Sequence, residues 1–513
     1  EITTRLVGSE MCIRDRRTTV VLESLINQDF WVTLAGAAAV LLQFVLTASV
    51  ILRVILTRHP PGSSFAWILL VTILPYIGFI LYVWLGERPI GRWRALRLRH
   101  LLEHWEEVTD EGYAISGTLP TMPHGQRHKG LTRLAERLGD LPMSCGSRLE
   151  LISDSVEALS RIEYDVNNAR KSVSMEFYIW GVGGWCDRVA QAIIHAAERG
   201  CECRILVDDI GARAWLRSSW PSKMLAAGVH VSRALPVSLF PITKGRADLR
   251  LHRKTVIIDD RLGYTGSLNL IDPNIFNATE GIGEWVDAMV RVEGTAVRDL
   301  NQVFLFDWAL QPDIEGERIS LEKIAPVPAV GSACVTVVPS GPTTVDDANQ
   351  RLILEAISCA RERIYLTTPY FVPGETLILA LQNAAMRGVD VRLCIPSKPD
   401  SQFVRWASRR YFSDLMNAGV KISFFTDGLL HTKAITVDDT FSLFGTVNLD
   451  KRSLHLNFEM MLLIFDPKFV ADMTALHRHY EAKSVPIDPV RWHRRHIGQR
   501  FLEGLSYLLS PLL

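Results

Sequence analysis

The sequence predicts an α/β fold: an N-terminal two-helix transmembrane hairpin followed by two duplicated α/β/α sandwich domains. Two long uncharged apolar runs lie near the N-terminus, the rest of the chain repeats itself, and each repeat alternates strand-like and helix-like segments, as layered α/β domains do. The predicted segments are an N-terminal segment 1–29, transmembrane helices 30–56 and 63–86, a basic juxtamembrane segment and linker 87–140, α/β domains 141–325 and 326–485, and a membrane-associated C-terminal tail 486–513.

Composition excludes several classes of protein. The chain has 513 residues, of which 48% are hydrophobic, and its 56 Lys and Arg residues balance 56 Asp and Glu residues. A disordered chain would be poorer in apolar residues, and a nucleic-acid binder would carry excess positive charge. The eight cysteines form no CxxC pair and no zinc-type spacing, so we expect buried thiols and no metal. Residues 1–17 resemble a translated sequencing adapter, and we set them aside as an artefact.

The two apolar runs predict how the chain is placed in a membrane. Each is long enough to cross the ~30 Å hydrocarbon core, and Pro75 in the second is tolerated in transmembrane helices. Residues 87–100, which follow, hold five arginines and one glutamate. Basic residues stay on the cytoplasmic side, which predicts a multi-pass protein with cytoplasmic α/β domains. The tail mixes Arg494, Arg495 and Arg500 with apolar residues and is expected to dock on the membrane surface.

The repeat contains one sharp motif, HxKxxxxD followed after six residues by G[S/T]xN. The offset along the chain from the first copy to the second is the same at every motif position. The motif residues are His252, Lys254, Asp259, Ser267 and Asn269 in the first copy, and His431, Lys433, Asp438, Thr446 and Asn448 in the second.

This spacing has a chemical meaning. Residues two apart on a strand share a face, so each His and Lys project into one pocket. Two facing copies would place two imidazoles in a cationic cradle suited to a phosphodiester. One His can attack phosphorus while the other protonates the leaving oxygen, and the lysines and asparagines can stabilise the developing charge. Asp259 and Asp438 complete the catalytic motif, but their position at a strand turn favours a structural role.

The duplicated motif resembles that of the phospholipase D superfamily. Further segments resemble the bacterial cardiolipin synthases: Phe177–Trp180, Pro369–Pro373, Gly428–His431, Gly445–Asp450 and Asn457–Glu459. The resemblance implies a covalent phosphohistidine intermediate, without cofactor or metal. It also implies that Glu459 orients the histidine of the opposite copy. Glu280 stands as far after His252 as Glu459 stands after His431, but its sequence context does not require that role.

The resemblance implies a phosphatidyltransferase of the bacterial inner membrane. One phosphatidylglycerol would donate its phosphatidyl group to another, releasing glycerol, with phosphatidylglycerol and anionic membrane lipids as partners and no nucleic acid. We take His252 as the nucleophile and His431 as the acid and base, although the copies are chemically alike. The alternatives are a phospholipase D-type hydrolase or nuclease, a non-catalytic scaffold, and a phosphatidyltransferase with another lipid donor or acceptor. The oligomeric state stays open.

Overall fold

The structure is a computed structural model that describes residues 30–57, 61–86, 94, 96–98, 125–237, 248–276, 283–311 and 326–508. The predicted segment 1–29, most of the basic segment 87–100 and the last five residues of the tail lie outside this set. The chain divides into an N-terminal unit, residues 1–88, and a larger unit, residues 89–513. The two units are described separately below.

The N-terminal unit contains one long apolar helix. Helix α1, Phe30–Leu56, has 27 residues and is the one described helix that is long and apolar enough to cross a membrane. The predicted second span is not one continuous helix, because it divides into α2, Pro61–Ile73, α3, Pro75–Leu81, and a π-helical turn, Tyr82–Gly86. Leu74 takes φ −127° and ψ 72°. A residue before proline is driven out of the helical region, which explains the break.

The first half of the larger unit follows the predicted alternation of strands and helices. Its elements are α4 Lys129–Gly139, β1 Ser144–Ile152, α5 Ser155–Asn167, β2 Ser172–Phe177, α6 Gly184–Glu198, β3 Glu202–Asp208, α7 Arg213–Leu216, α8 Trp220–Ala226, β4 His230–Ala234, β5 Thr255–Ile258, β6 Leu262–Gly266, β7 Trp285–Val286, β8 Met289–Glu293 and α9 Ala296–Ala309.

The second half repeats this order. Its elements are β9 Ala333–Ser340, α10 Ala348–Cys359, β10 Arg363–Thr367, β11 Phe371–Val372, α11 Glu375–Met386, β12 Asp390–Pro396, α12 Gln402–Asn417, β13 Lys421–Phe425, β14 Leu429–Leu430, β15 Ala434–Val437, β16 Phe441–Gly445, β17 Leu449–Asp450, α13 Lys451–His455, β18 Glu459–Phe465, α14 Pro467–Ala482, β19 Ser484–Pro486, α15 Pro489–His493 and α16 Ile497–Leu508.

Both halves contribute to one 15-stranded sheet, with strand order β19-β13-β12-β10-β15-β16-β18-β9-β1-β8-β6-β5-β2-β3-β4. Antiparallel pairing of β1 with β9 joins the two halves at the centre. The alternation of strands and helices favours a largely parallel sheet, but among the described strands parallel pairing in this sheet is confined to β2-β3-β4 and β10-β12-β13. The motif hairpins β5-β6 and β15-β16 make the remainder antiparallel, because a tight turn can join only antiparallel strands.

Helix α4 corrects the predicted linker 87–140. Leu131, Ala135 and Leu138 are buried in a core that also contains Leu352 and Ile353 of α10. The segment looked like a linker because its other positions are charged. Its apolar residues nevertheless recur at helical spacing, and this stripe packs beneath the second half.

The cysteines are also corrected in part. Cys145 of β1 and Cys334 of β9 are paired in register and form a disulfide across the seam between the halves. The 189 residues between them hid this proximity in the sequence. The five other described cysteines are free, and four of them are buried as predicted.

Candidate active site

The two motif copies meet at one edge of the sheet. Lys254 and Lys433 immediately precede β5 and β15, whose first residues pair with the carboxyl ends of β2 and β10. This edge is where open α/β sheets usually bind ligands. Backbone hydrogen bonds also link the two halves at this edge. The amide of His252 donates to the carbonyl of Phe458 (2.9 Å), and the amide of His431 donates to the carbonyl of Val286 (2.8 Å).

Each motif histidine is held by a carboxylate from the opposite half. Nδ1 of His252 lies 2.8 Å from Oε2 of Glu459, which is the contact that the resemblance implied. Nδ1 of His431 lies 2.7 Å from Oδ1 of Asp287. A carboxylate partner keeps the proton on Nδ1, which leaves the lone pair of Nε2 available for attack. The structure therefore brings the two histidines into equivalent settings.

Asp287 is a site residue that the sequence analysis missed. Glu280, which has the matching offset, lies outside the described residues. Strand register reveals the equivalence, because the amide of Ser267 donates to Ala288 and that of Thr446 donates to Met460 (both 2.9 Å), and each of these acceptors directly follows a carboxylate residue. An acidic residue at the start of a buried strand, within the segment Trp285–Met289, was the available signal.

The predicted hydroxyl and amide residues support the site. Oγ1 of Thr446 donates to Oε2 of Glu459 (2.6 Å). The hydroxyl of Ser267 instead donates to the carbonyl of Ala288 (3.2 Å) and accepts its backbone N–H (3.0 Å). Burial would raise the pKa of the neighbouring Asp287, but His431 and Lys433 outweigh burial, so that pKa is lowered. The amide oxygen of Asn269 accepts the backbone N–H of Ile179 (3.1 Å).

The remaining amide, that of Asn448, is buried, and its Oδ1 finds no hydrogen-bond partner among the described residues. Thr446 thus holds the carboxylate that orients His252, and Ser267 holds the backbone next to Asp287. They support the site rather than line a phosphate pocket.

The motif aspartates lie away from this chemistry, at the far ends of strands β5 and β15. Asp259 accepts backbone N–H groups of Arg170, Lys171 and Ser172 at 2.6–3.1 Å. Asp438 accepts three equivalent groups of residues 361–363 at 2.7–2.9 Å. Both aspartates thus fasten the loop that enters the neighbouring strand, which is the structural role that their turn position favoured.

Two lysines bring positive charge to the buried histidines. Nζ of Lys254 donates to the carbonyl of His252 (2.6 Å), and Nζ of Lys433 donates to that of His431 (2.5 Å). Burial lowers the pKa of Lys254 to about 8 and that of Lys433 to about 7. Burial is also the main reason why the pKa of each histidine falls to about 4. Both imidazoles are therefore neutral in the free protein at neutral pH.

Glu459 stays ionised in this setting. Burial alone would raise its pKa, but the neighbouring His252, the charge of Lys254 and the hydrogen bonds from His252 and Thr446 outweigh burial, so the pKa is lowered. An ionised Glu459 can stabilise an imidazolium or a phosphorylated imidazole on His252. The site thus supplies a neutral imidazole as the nucleophile, with an ionised carboxylate at its Nδ1.

Three further residues contact this arrangement and were not predicted. Arg253, between His252 and Lys254, donates to the carbonyls of Glu459 (2.9 Å) and Ser340 (3.1 Å) and pairs with the carboxylate of Asp307. It therefore fixes the strand that carries Glu459. The ring centroids of Tyr178 and His252 lie 5.1 Å apart, and those of Trp285 and His431 lie 4.4 Å apart. The x position of HxK gave no signal for such a role.

The lysine pKa values predict the pH dependence of catalysis. We expect kcat/KM to fall as pH rises through about 7 to 8, because Lys433 and then Lys254 lose the charge that stabilises the transition state. The acid limb should lie near pH 4, where the histidines gain protons. The measurement is kcat/KM from pH 4 to 10 on reconstituted protein. Lys433→Arg should retain a residual activity whose basic limb has moved upward, and an unmoved limb would contradict the assignment.

Fold and site together define a class of protein: a phosphoryl-transfer enzyme of phospholipase D type, with one histidine from each of two duplicated α/β halves. The sequence profile described as "Cardiolipin synthase, PLD-like domain" matches residues 163–308 and 353–480, and that described as "Phospholipase_D-nuclease N-terminal" matches residues 45–87. The chain is 40% identical to "Cardiolipin synthase A" of Edwardsiella ictaluri over 474 residues, which cover 92% of this chain and 97% of the relative.

A second relative, "Cardiolipin synthase A" of Erwinia tasmaniensis, is 40% identical over 477 residues, with the same coverage of both chains. Among solved structures, the phosphatidylserine synthase of Haemophilus influenzae aligns with a TM-score of 0.57 at 15% identity, over 75% of this chain and all of that one. This structural likeness supports the fold alone. The chain belongs to the bacterial cardiolipin synthase family of the phospholipase D superfamily.

Proposed function

We propose that this chain is a cardiolipin synthase that transfers the phosphatidyl group of one phosphatidylglycerol to a second one. The observation that carries the proposal is the pair of buried imidazoles, each held at Nδ1 by a carboxylate of the other half. Membership of the cardiolipin synthase family supports the choice of lipid. The residues proposed for catalysis are His252, Lys254, His431 and Lys433, with Glu459 and Asp287 as orienting groups.

The proposed reaction has two steps. Nε2 of His252 attacks phosphorus, the bond from phosphorus to the glycerol oxygen breaks, and His431 gives that oxygen a proton. The bound phosphodiester is an anion, and a neighbouring negative charge favours the protonated form of His431. The glycerol hydroxyl of the second phosphatidylglycerol then gives its proton to His431 and attacks phosphorus. The phosphorus–nitrogen bond breaks, which frees His252 and yields cardiolipin.

Two features support this choice of roles and of acceptor. His252 is 8% exposed and His431 is 2% exposed, so His252 is the imidazole that an incoming lipid phosphorus reaches more readily. Both values are small, and a site with little room for water favours attack by a lipid hydroxyl over hydrolysis.

Product analysis tests the proposal. Purified full-length protein in phosphatidylglycerol vesicles is expected to release glycerol and to form cardiolipin in equal amounts. Phosphatidic acid as the sole product would establish a hydrolase instead. Phosphatidylethanolamine or phosphatidylserine added to the same vesicles tests the acceptor, and a product that contains either headgroup would contradict the exclusive use of phosphatidylglycerol.

We further propose that the N-terminal unit is a two-segment hairpin in the bacterial inner membrane, with the catalytic halves in the cytoplasm. Val50 and Val54 of α1 bury against Val71 of α2 and Tyr82. The hydroxyl of Tyr76 donates to the carbonyl of Ala39 (3.3 Å). Helices α2 and α3 with their π turn thus pack along α1, as the second arm of a hairpin would.

Thiol labelling tests this topology. A cysteine in place of Gly62, an exposed position in the first turn of α2, is expected to react with a membrane-impermeant maleimide in intact spheroplasts. A cysteine in place of Tyr164, an exposed position on α5, is expected to react only after lysis. Equal labelling of both positions before lysis would contradict the hairpin.

A further inference from the structure

The C-terminal helix α16 is amphipathic, but it exposes its apolar side and buries polar residues, which is the reverse of a helix on a protein surrounded by water. Its outer stripe is Ile497, Phe501, Leu505 and Leu508, of which Ile497 is 76% and Phe501 69% exposed. Its buried face carries Glu503 and Ser506. Positions spaced by three or four residues lie on one side of a helix, so the stripe is continuous. A helix that buries its acid and exposes its apolar residues calls for an apolar neighbour.

The stripe is exposed although the helix is docked. The hydroxyl of Tyr507 donates to the carboxylate of Glu375 on α11 (2.6 Å). Arg495 pairs with Glu503 (2.7 Å), and its guanidinium stacks 3.6 Å from the centre of the Trp492 ring. Trp492 in turn packs against Phe412 of α12. The inner face is therefore satisfied by the protein, and the outer stripe faces away from it.

Arginines are concentrated on α16, α15 and α12. Residues 489–500 hold four arginines and no acid, and α12 adds three more: Arg405, Arg409 and Arg410. Burial lowers the pKa of Arg409, and the like charges of Arg405 and Arg495 lower it further. Glu503 interacts with several of these guanidinium groups at once. An exposed apolar stripe within arginine-rich segments matches the interface of an anionic bilayer, which supplies both acyl chains and phosphates.

The surface lies at the rim of the active-site edge. Helix α12 begins six residues after β12 ends, and the carboxyl end of β12 is at the same edge as His431. Phe403, in the first turn of α12, is 59% exposed. Glu375, which Tyr507 contacts, is the first residue of α11 and stands three positions after the end of the short strand β11, which follows the carboxyl end of β10. A bilayer on this surface would meet the mouth of the site.

We propose that α12, α15 and α16 form a docking surface for an anionic lipid bilayer, which turns the active-site edge toward lipid headgroups. The claim that docking helps catalysis rests on the proposed function, whereas the claim that these helices contact a bilayer does not.

A spin label at residue 501 tests the contact directly. Full-length Phe501→Cys is labelled and placed in phosphatidylcholine vesicles, with or without phosphatidylserine. Accessibility to oxygen and to a water-soluble nickel chelate is measured by paramagnetic resonance. In anionic vesicles the label is expected to be reached by oxygen and shielded from nickel. The matched control is Tyr164→Cys, an equally exposed aromatic position on α5, which should stay accessible to nickel.

Charge variants and activity separate the possible outcomes. The double variant Arg494→Gln and Arg500→Gln should return the nickel accessibility of the label at 501 to the value measured in neutral vesicles. It should also raise KM for lipid by about tenfold with kcat unchanged. A label at 501 that stays accessible to nickel in anionic vesicles overturns the docking surface, even if cardiolipin forms. A shielded label in a protein that makes no cardiolipin overturns the proposed function and leaves the surface intact.

Discussion

His252→Ala and His431→Ala are each expected to abolish cardiolipin formation, with losses of about 10⁴-fold or more, because nucleophile and proton donor act as one unit. Loss of either imidazole leaves its carboxylate, Glu459 or Asp287, buried without its histidine partner, so the fold must be checked by thermal unfolding. The measurement is the rate of cardiolipin formation in phosphatidylglycerol vesicles. Full activity in either variant would refute a two-histidine mechanism.

A donor with an easy leaving group separates the two roles. Phosphatidyl-p-nitrophenol needs no proton on its leaving oxygen, so His431→Ala should still release one equivalent of nitrophenol in a burst and accumulate phosphatidylated protein. His252→Ala should give no burst, because it lacks the attacking nitrogen. The opposite pattern would assign the nucleophile to His431 and exchange the proposed roles.

Glu459→Gln and Asp287→Asn are expected to lower kcat by about 10²- to 10⁴-fold while the protein stays folded. Each amide keeps the shape of the carboxylate but can no longer hold the proton on Nδ1, so the imidazole can present an N–H at the reacting position. It also removes the negative charge that stabilises an imidazolium. Steady-state kinetics on the reconstituted protein measures the effect.

Asp299→Asn is the matched control for these two variants. Asp299 is a buried carboxyl group on α9 whose pKa burial raises to about 7, so an amide replaces a group that is only about half ionised near neutral pH. It should leave kcat unchanged. In addition, Glu459→Gln should cost little once His252 is alanine, because Glu459 acts through that histidine. Additive losses in this double variant would contradict a positioning role.

The catalytic residues were predictable from the sequence because the same motif occurs twice. The constant offset between the two motif copies placed His252 with Lys254 and His431 with Lys433, and the alternation of strands and helices predicted the repeated half. Glu459 followed from the resemblance. These features depend on the spacing of residues that are close together in the sequence, which can be read directly from the chain.

Asp287 escaped prediction because the loop before it is longer than its counterpart. Asp287 stands twenty positions after Ser267, whereas Glu459 stands thirteen positions after Thr446. Counting from the motif therefore gave Glu280, seven positions early. Strand register tolerates such insertions because only the paired residues are constrained.

Two other features depended on contacts made far along the chain. The apolar stripe of α4 is buried by the second half, which begins long after it in the sequence, so its charged positions dominated its appearance. Cys145 and Cys334 are brought together only by the pairing of β1 with β9. The break at Leu74 is instead a local effect. The proline that follows Leu74 was visible in the sequence, but its influence on the helix was underestimated.

The exchange of carboxylates between the halves has a consequence during synthesis. The ribosome makes His252 long before Glu459, and makes Asp287 long before His431. A growing chain that already displays the first motif therefore has an imidazole without its orienting carboxylate and lacks the second histidine entirely. Reactivity toward phosphodiesters arises only once the last strands have been made and paired. An enzyme that acts on the lipids of its own membrane is thereby harmless to them until it is complete.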